Sequence, residues 1–105
     1  MIKLISVKTT FSATHNYPDA GNFLKNEHRH LFFICVKIRV WDNNREIEFL
    51  EKKKEIETYI TEKYANRFLM GVSCEDIAEE LLHKFGAFFV SVYEDNENGA
   101  EIYEE

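Results

Sequence analysis

The chain is short of positive charge, of long apolar runs, of cysteine and of proline, and each shortage removes a class of function. Thirteen Lys and Arg stand against nineteen Asp and Glu, a net charge of -6. Phosphate backbones are held through a basic footprint, so non-specific nucleic-acid binding is excluded and a small-molecule partner is expected instead. No stretch approaches the roughly 20 apolar residues that a membrane helix needs, so no membrane partner is expected. The opening Met1-Ile2-Lys3-Leu4-Ile5-Ser6-Val7-Lys8 alternates, which predicts a strand and not a signal peptide. Cys35 and Cys74 lack CxxC spacing, and two isolated cysteines read most simply as reduced thiols in a cytoplasmic protein, without a disulfide. The single proline, Pro18, falls in the turn-rich stretch Asn16-Tyr17-Pro18-Asp19-Ala20-Gly21-Asn22. There is no internal repeat and no low-complexity linker beyond the acidic end.

What is present is apolar surface. Nine phenylalanines and a hydrophobic fraction of 45% in 105 residues predict one globular domain, 1–105, with a single modest core helped by oligomerisation. Residues 2–15 read as a strand with Ile5, Val7, Phe11, Ala13 and His15 on one face. From His28 to Val40 the even positions, His28, His30, Phe32, Ile34, Val36, Ile38 and Val40, form the apolar face of a second strand. Leu31, Phe33 and Trp41 on the odd side would be left bare in a one-layer monomer, so that side is expected to meet another subunit. From about Glu46 to Phe68 the period changes: Phe49, Ile56, Ile60, Tyr64 and Phe68 predict an amphipathic helix, with Glu51-Lys52-Lys53-Lys54-Glu55 as its solvated face. Ser73 is a candidate N-cap for a second helix ending near Gly86. Ala87 to Asp95 returns to strand, Asn98-Gly99 is the expected hairpin turn, and Ala100 to Tyr103 pairs back. The predicted fold is α+β, in the order β-β-α-α-β-β, a four-stranded antiparallel sheet with both helices on one face.

Three histidines carry the chemistry. In strands His28 and His30 project from the same side, and His15 shares the inward parity of its own strand. Three imidazoles converging from two strands suit one divalent ion and leave a coordination position open, as in a catalytic zinc site rather than a closed structural one. The competing reading is a hydrogen-bonded core histidine beside a chance HxH pair. Glu94 is a second polar anomaly. It ends the series Phe88, Val90, Val92 that should face the helices, so it either sits at the rim in water or receives donors from a ligand. His83 reads as a surface residue without a role.

Taken together, Phe11-Ser12-Ala13-Thr14-His15, His28-Arg29-His30 opening a strand, two helices, and a late Val90-Ser91-Val92-Tyr93-Glu94 strand resemble the 6-pyruvoyl-tetrahydropterin synthase and 6-carboxy-tetrahydropterin synthase family over nearly the whole chain. The resemblance implies the tunnelling fold, whose sheets join around a threefold axis, with two trimers stacked as a hexamer. It also implies Zn2+ on His15, His28 and His30. Glu94 would anchor a pterin ring by accepting its amino and ring N–H groups, and Ser73-Cys74-Glu75 looks like the segment that lines the same pocket, so Ser73, Glu75 and Glu94 are the implied substrate-binding residues.

The departures concern acid–base chemistry. The family carries a Cys four residues before HxH and an Asp-His pair within LDHxxLN. Here those places hold Leu24 and, in Ile60-Thr61-Glu62-Lys63-Tyr64-Ala65-Asn66, Thr61 and Glu62. Some branches place a glutamate three residues before HxH, where this chain has Lys25; Glu27 is close but out of register. Arg29 replaces the glycine inside HxH and should point away from the histidines. Two functions of different class follow. One is a zinc-dependent carbon–oxygen lyase of the pterin synthase type, acting on a dihydroneopterin triphosphate-like substrate with Glu27, Glu62 or Cys74 as the base, Cys74 being placed where a helix N-terminus would lower its pKa. The other is a re-purposed homologue that binds zinc and a pterin or purine-like ligand without turning it over.

Overall fold

The alternating residues near the N-terminus form one long antiparallel ribbon in the computed structural model, which describes residues 1–105. Strand β1 (Lys3–Asn16) pairs with β2 (His28–Val40) from Lys3 opposite Val40 to His15 opposite His28. At about 3.3 Å per residue, this ribbon accounts for most of the molecule's 50 Å long axis. Between the two strands the chain makes a short 3-10 turn, Phe23–Lys25, capped by the Asn22 side chain. One face of the ribbon is buried: Val7, Phe11, Ala13 and His15 on β1, and Phe32, Ile34, Val36, Ile38 and Val40 on β2.

Helices α1 (Phe49–Lys63) and α2 (Cys74–Phe85) cover that face, and strands β4 (Phe89–Glu94) and β5 (Asn98–Tyr103) extend the sheet beyond β2. Ile56 and Ile60 of α1 and Ile77, Ala78, Leu81 and Leu82 of α2 close one hydrophobic cluster with Val90 and Val92 of β4. Ser73 caps α2 in a reciprocal arrangement with Asp76, and Gly86 ends it in the left-handed conformation at φ 57°. No helix is long and apolar enough to cross a membrane.

The sheet departs from the expected four antiparallel strands. It has five, in the order β3-β1-β2-β4-β5, because residues Phe68–Met70 form a short strand β3 that runs parallel to the end of β1. The first helix stops at Lys63 instead of reaching Phe68. Asn66 takes the left-handed conformation, its N–H donates to Ser12 O, and Thr14 N–H donates to Arg67 O. These bonds swing the chain out of the helix and alongside β1. Strand alternation then turns Leu69 inward and leaves Phe68 and Met70 exposed, so Phe68 is not the core residue that helical spacing implied. Phe49, at the first helical position, is half exposed as well.

The hairpin turn also moves. Asp95 and Asn96 both hold positive φ (54° and 57°), and Glu97 N–H donates to Glu94 O, so the reversal centres on Asp95-Asn96 as in a type I′ turn. Asn98 and Gly99 lie inside β5. The glycine is needed there for space, because a Cβ at Gly99 would stand 2.0 Å from Val92 O.

On the other face of the sheet, Leu31 and Trp41 are exposed. Arg39 stacks on Trp41 and Lys37 on Phe89, with cation-to-ring distances of 4.1 and 4.7 Å. The outer edge of β5 and the edge of β1 before Thr14 have no strand partner within the chain.

Candidate metal centre

The β1–β2 register brings the three histidines together. His15 lies directly opposite His28, while His30 lies opposite Ala13, one inward-facing position along the same face. Cross-strand and diagonal neighbours on one face are in side-chain contact. The rings accordingly pack edge to face, with centroids 4.5 Å apart for His15–His28, 5.0 Å for His15–His30 and 4.9 Å for His28–His30. Phe32, fully buried, forms the floor beneath His15 and His30. One nitrogen from each ring lies within 4.8 Å of the other two.

Each ring is oriented by an acceptor at its Nδ1. His28 Nδ1–H donates to Asn26 O at 2.8 Å, His30 Nδ1–H to Asp95 Oδ2 at 2.7 Å, and His15 Nδ1–H to Val72 O at 3.4 Å. Fixing the proton on Nδ1 leaves the Nε2 lone pairs free, the arrangement that outer partners impose on metal-binding histidines. His15 Nε2 and His28 Nε2 are buried and have no hydrogen-bond partner in the protein. An unpaired buried polar atom costs about 1–3 kcal/mol, so two of them facing one point are a reason for an ion to bind there. Burial holds the His15 imidazole below its ordinary pKa despite the opposing pull of Glu94, which keeps it in the neutral form that ligates. Neutral imidazoles are the ligand type of zinc, copper, nickel and iron, and these residues fit a divalent ion.

Glu94 stands beside the triad. It lies opposite Phe32 in the β2–β4 register, which puts its carboxylate next to His30. Its Oε2 is 3.1 Å from His30 Nε2 and its Oε1 3.7 Å from His15 Nε2. The Cys74 thiol donates to Oε1 across 3.7 Å. Burial, with Glu94 beside it, pushes that thiol up to about 12, the reverse of the lowering expected at a helix N-terminus. Desolvation and the carboxylate outweigh the helix dipole, so Cys74 is a protonated thiol.

The other proposed bases lie elsewhere. Glu27 accepts from the Thr14 hydroxyl at 2.6 Å, an outward side chain of β1. Thr61 and Glu62 are exposed on α1, and Glu62 borders a shallow surface hollow with Lys54 and Tyr59. Arg29 donates to Ser12 Oγ at 2.8 Å, on the face away from the histidines as expected. Ser73 Oγ is engaged by the Asp76 N–H, and Glu75 is exposed one residue into α2. His83 is exposed near the far end of α2.

Two contributors escaped the sequence reading. Asp95 reads from sequence as a strand end, but its turn conformation sends the carboxylate back to His30, and its Oδ1 accepts from Leu31 N–H at 3.0 Å. Tyr17 reads from sequence only as part of a loop, yet its ring packs 5.0 Å from His15, and burial beside Glu94 pushes its phenol up to about 12. Its odd number, two beyond His15, was the available signal.

Comparison with solved structures places the fold. The chain superposes along its whole length on 6-pyruvoyl tetrahydropterin synthase of Caenorhabditis elegans with a TM-score of 0.79 at 17% identity, covering 97% of that protein. An uncharacterized protein from Wolinella succinogenes matches with a TM-score of 0.77 at 12% identity, covering 99% of its length. No protein-family model matches the chain, and no curated protein matches it in sequence. At such identities the likeness is one of fold: α+β, with two helices against a mixed five-stranded sheet.

Proposed function

We propose that the chain is a zinc-binding protein of the 6-pyruvoyl-tetrahydropterin or 6-carboxy-tetrahydropterin synthase type, a carbon–oxygen lyase acting on a dihydroneopterin triphosphate-like pterin. One observation carries the reading: three inward Nε2 atoms converge while all three Nδ1 atoms are tied to acceptors. The likeness in fold to the nematode synthase supports the choice of substrate class. His15, His28 and His30 would hold the ion, whose Lewis acidity would polarise the substrate's side-chain oxygens. Asp95 and the carbonyls of Asn26 and Val72 orient the imidazoles. Phe32 excludes water beneath them. Glu94 is the group to receive the amino and ring N–H donors of the pterin, and Ser73 and Glu75 at the start of α2 are the further substrate-binding residues of this reading.

Self-association as a trimer or hexamer accompanies this reading. The unpaired edges of β1 and β5 and the bare Leu31 and Trp41 are the surfaces such an assembly would cover. Light scattering should give a mass that is a threefold multiple of 12.5 kDa.

A second reading is a re-purposed homologue that binds zinc and a pterin or purine-like ligand without the lyase reaction. It is favoured by the positions of the candidate bases: Glu27 and Glu62 are remote from the triad's face and Cys74 is a buried thiol. The deciding experiment is turnover of dihydroneopterin triphosphate by zinc-loaded protein, with the product identified by mass and His28→Ala as control. Product that depends on His28 establishes the lyase; zinc-loaded protein that yields none moves the reading to a binding or differently specific homologue.

A further inference from the structure

Glu94 is the one carboxylate facing the Nε2 side of the triad, and no lysine or arginine pairs with it. Its side chain is only one quarter exposed. A carboxylate so largely removed from water needs positive charge or several donors. Within the protein its donors are the weak Cys74 thiol and the Tyr17 phenol, while the Nε2 atoms of His15 and His30 turn lone pairs toward it, a juxtaposition that a shared cation relieves.

Toward two of the three histidines, His15 and His30, the spacing is near that of a shared ion. Ligand atoms about 2.0–2.1 Å from a tetrahedral zinc stand about 3.3 Å from one another. Glu94 Oε2 is 3.1 Å from His30 Nε2, and Oε1 is 3.7 Å from His15 Nε2, values on either side of that separation. The approach is fixed by backbone, because Glu94 sits in the β2–β4 ladder opposite Phe32, the inward neighbour of His30. Asp95, the next residue, clamps the far nitrogen of His30. Consecutive residues of one strand end thus grip both sides of a single imidazole.

We infer that Glu94 is a fourth protein ligand of the metal, so that the ligand-free centre is a closed site of three histidines and one glutamate. The inference rests on the three-histidine reading above and extends it. A ligand that offers N–H donors to Glu94 would draw the carboxylate away and free a coordination position in the same movement, which couples recognition of the heterocycle to opening of the metal. The thiol of Cys74 and the Tyr17 phenol flank the carboxylate and are placed to steady it in either position.

The test uses the full-length chain loaded with zinc or cobalt, with Glu94→Gln and Glu94→Asp as variants and circular dichroism to show that each is folded. Aspartate keeps the charge but draws the carboxylate back by one methylene. Zinc affinity, measured by competition with a chromophoric chelator, should fall in both variants by at least the ~10–100-fold that loss of an outer partner costs. The visible spectrum of the cobalt protein should change in both. Azide should perturb the cobalt spectrum of the variants, whose fourth position is open, and leave that of the parent unmoved. Equal affinity and equal spectra in parent and variants would overturn Glu94 ligation while leaving the three histidines in place. So would a loss in Glu94→Gln that Glu94→Asp does not share, since charge alone would then suffice. A parent protein that takes up no zinc refutes the three-histidine site itself, a failure seen before any variant is compared.

Discussion

Replacing Asp95 by asparagine tests whether the triad is positioned from its outer side. The Asp95 carboxylate makes two bonds, accepting from His30 Nδ1–H at 2.7 Å through Oδ2 and from Leu31 N–H at 3.0 Å through Oδ1. Asparagine tolerates the left-handed backbone that this residue holds, so the turn is retained. It has one amide oxygen, however, and its NH2 group cannot accept a hydrogen bond. If the oxygen stays on the strand amide of Leu31, His30 loses its acceptor. A hydrogen bond to a charged group contributes about 1.5–3 kcal/mol. Asp95 is 46% exposed, and solvent screening pulls the value to the lower end, about 1.5 kcal/mol. At about 1.4 kcal/mol per decade, zinc should bind Asp95→Asn roughly tenfold more weakly than the parent. Chelator competition at neutral pH measures this, with His30→Ala marking the loss of the whole ligand. Unchanged affinity in Asp95→Asn, or a loss as large as that of His30→Ala, would refute the view that Asp95 acts by orienting His30.

Three further perturbations probe the frame. Glu80 accepts from the Lys63 ammonium and the Tyr64 hydroxyl, and these bonds hold its carboxyl below the usual range. A carboxyl depressed in the folded state adds stability above its unfolded pKa of about 4.3 and loses it as pH falls through the folded value. Glu80→Gln should therefore cost about 1 kcal/mol at neutral pH, and urea midpoints of parent and variant should converge in acid; a gap that stays constant would contradict the assignment. Cys74, with its thiol pushed up to about 12, should alkylate on the order of a thousandfold more slowly in the native than in the urea-unfolded chain at mildly alkaline pH. Rapid native labelling would restore it as a candidate base. Gly99→Ala places a Cβ 2.0 Å from Val92 O and 2.6 Å from Tyr93 Cα, both backbone atoms, and should lower stability by about 1–3 kcal/mol in thermal melts; an unchanged midpoint would mean that β4 and β5 can separate without cost.

The β1–β2 ribbon was legible because alternation is unambiguous where one face is apolar, and the second strand begins and ends at the predicted His28 and Val40. Ser73 and Gly86 marked the limits of α2 because capping chemistry is local. Helical spacing overruns the end of the first helix because Tyr64 and Phe68 continue its period. What ends it is tertiary: the bonds from Asn66 to Ser12 and from Thr14 to Arg67 join residues more than fifty positions apart, and no window along the chain contains them. The hairpin departs from its local signal for a related reason. Asn-Gly is the stronger local turn signal, but Gly99 is required by close strand approach, leaving Asp95-Asn96 to make the reversal.

The same distinction governs the site. His15, His28 and His30 were visible through parity alone, whereas the acceptors that set their tautomers come from Asn26, Val72 and Asp95, two of them backbone carbonyls that no side-chain pattern encodes. Parity also explains why the centre is robust. A slip of one residue between β1 and β2 would turn His28 and His30 to the outer face, but it would carry Phe32, Ile34 and Val36 out of the core with them. Each buried aliphatic or aromatic side chain of that series is worth about 1.5–3 kcal/mol, so the apolar register holds the imidazoles in place whether or not an ion is bound. Glu94 is fixed in the same way through its pairing with Phe32. The three-histidine cluster is thus a by-product of the register that fills the core, and the proposed ion would meet imidazoles that the apolar register already holds in place.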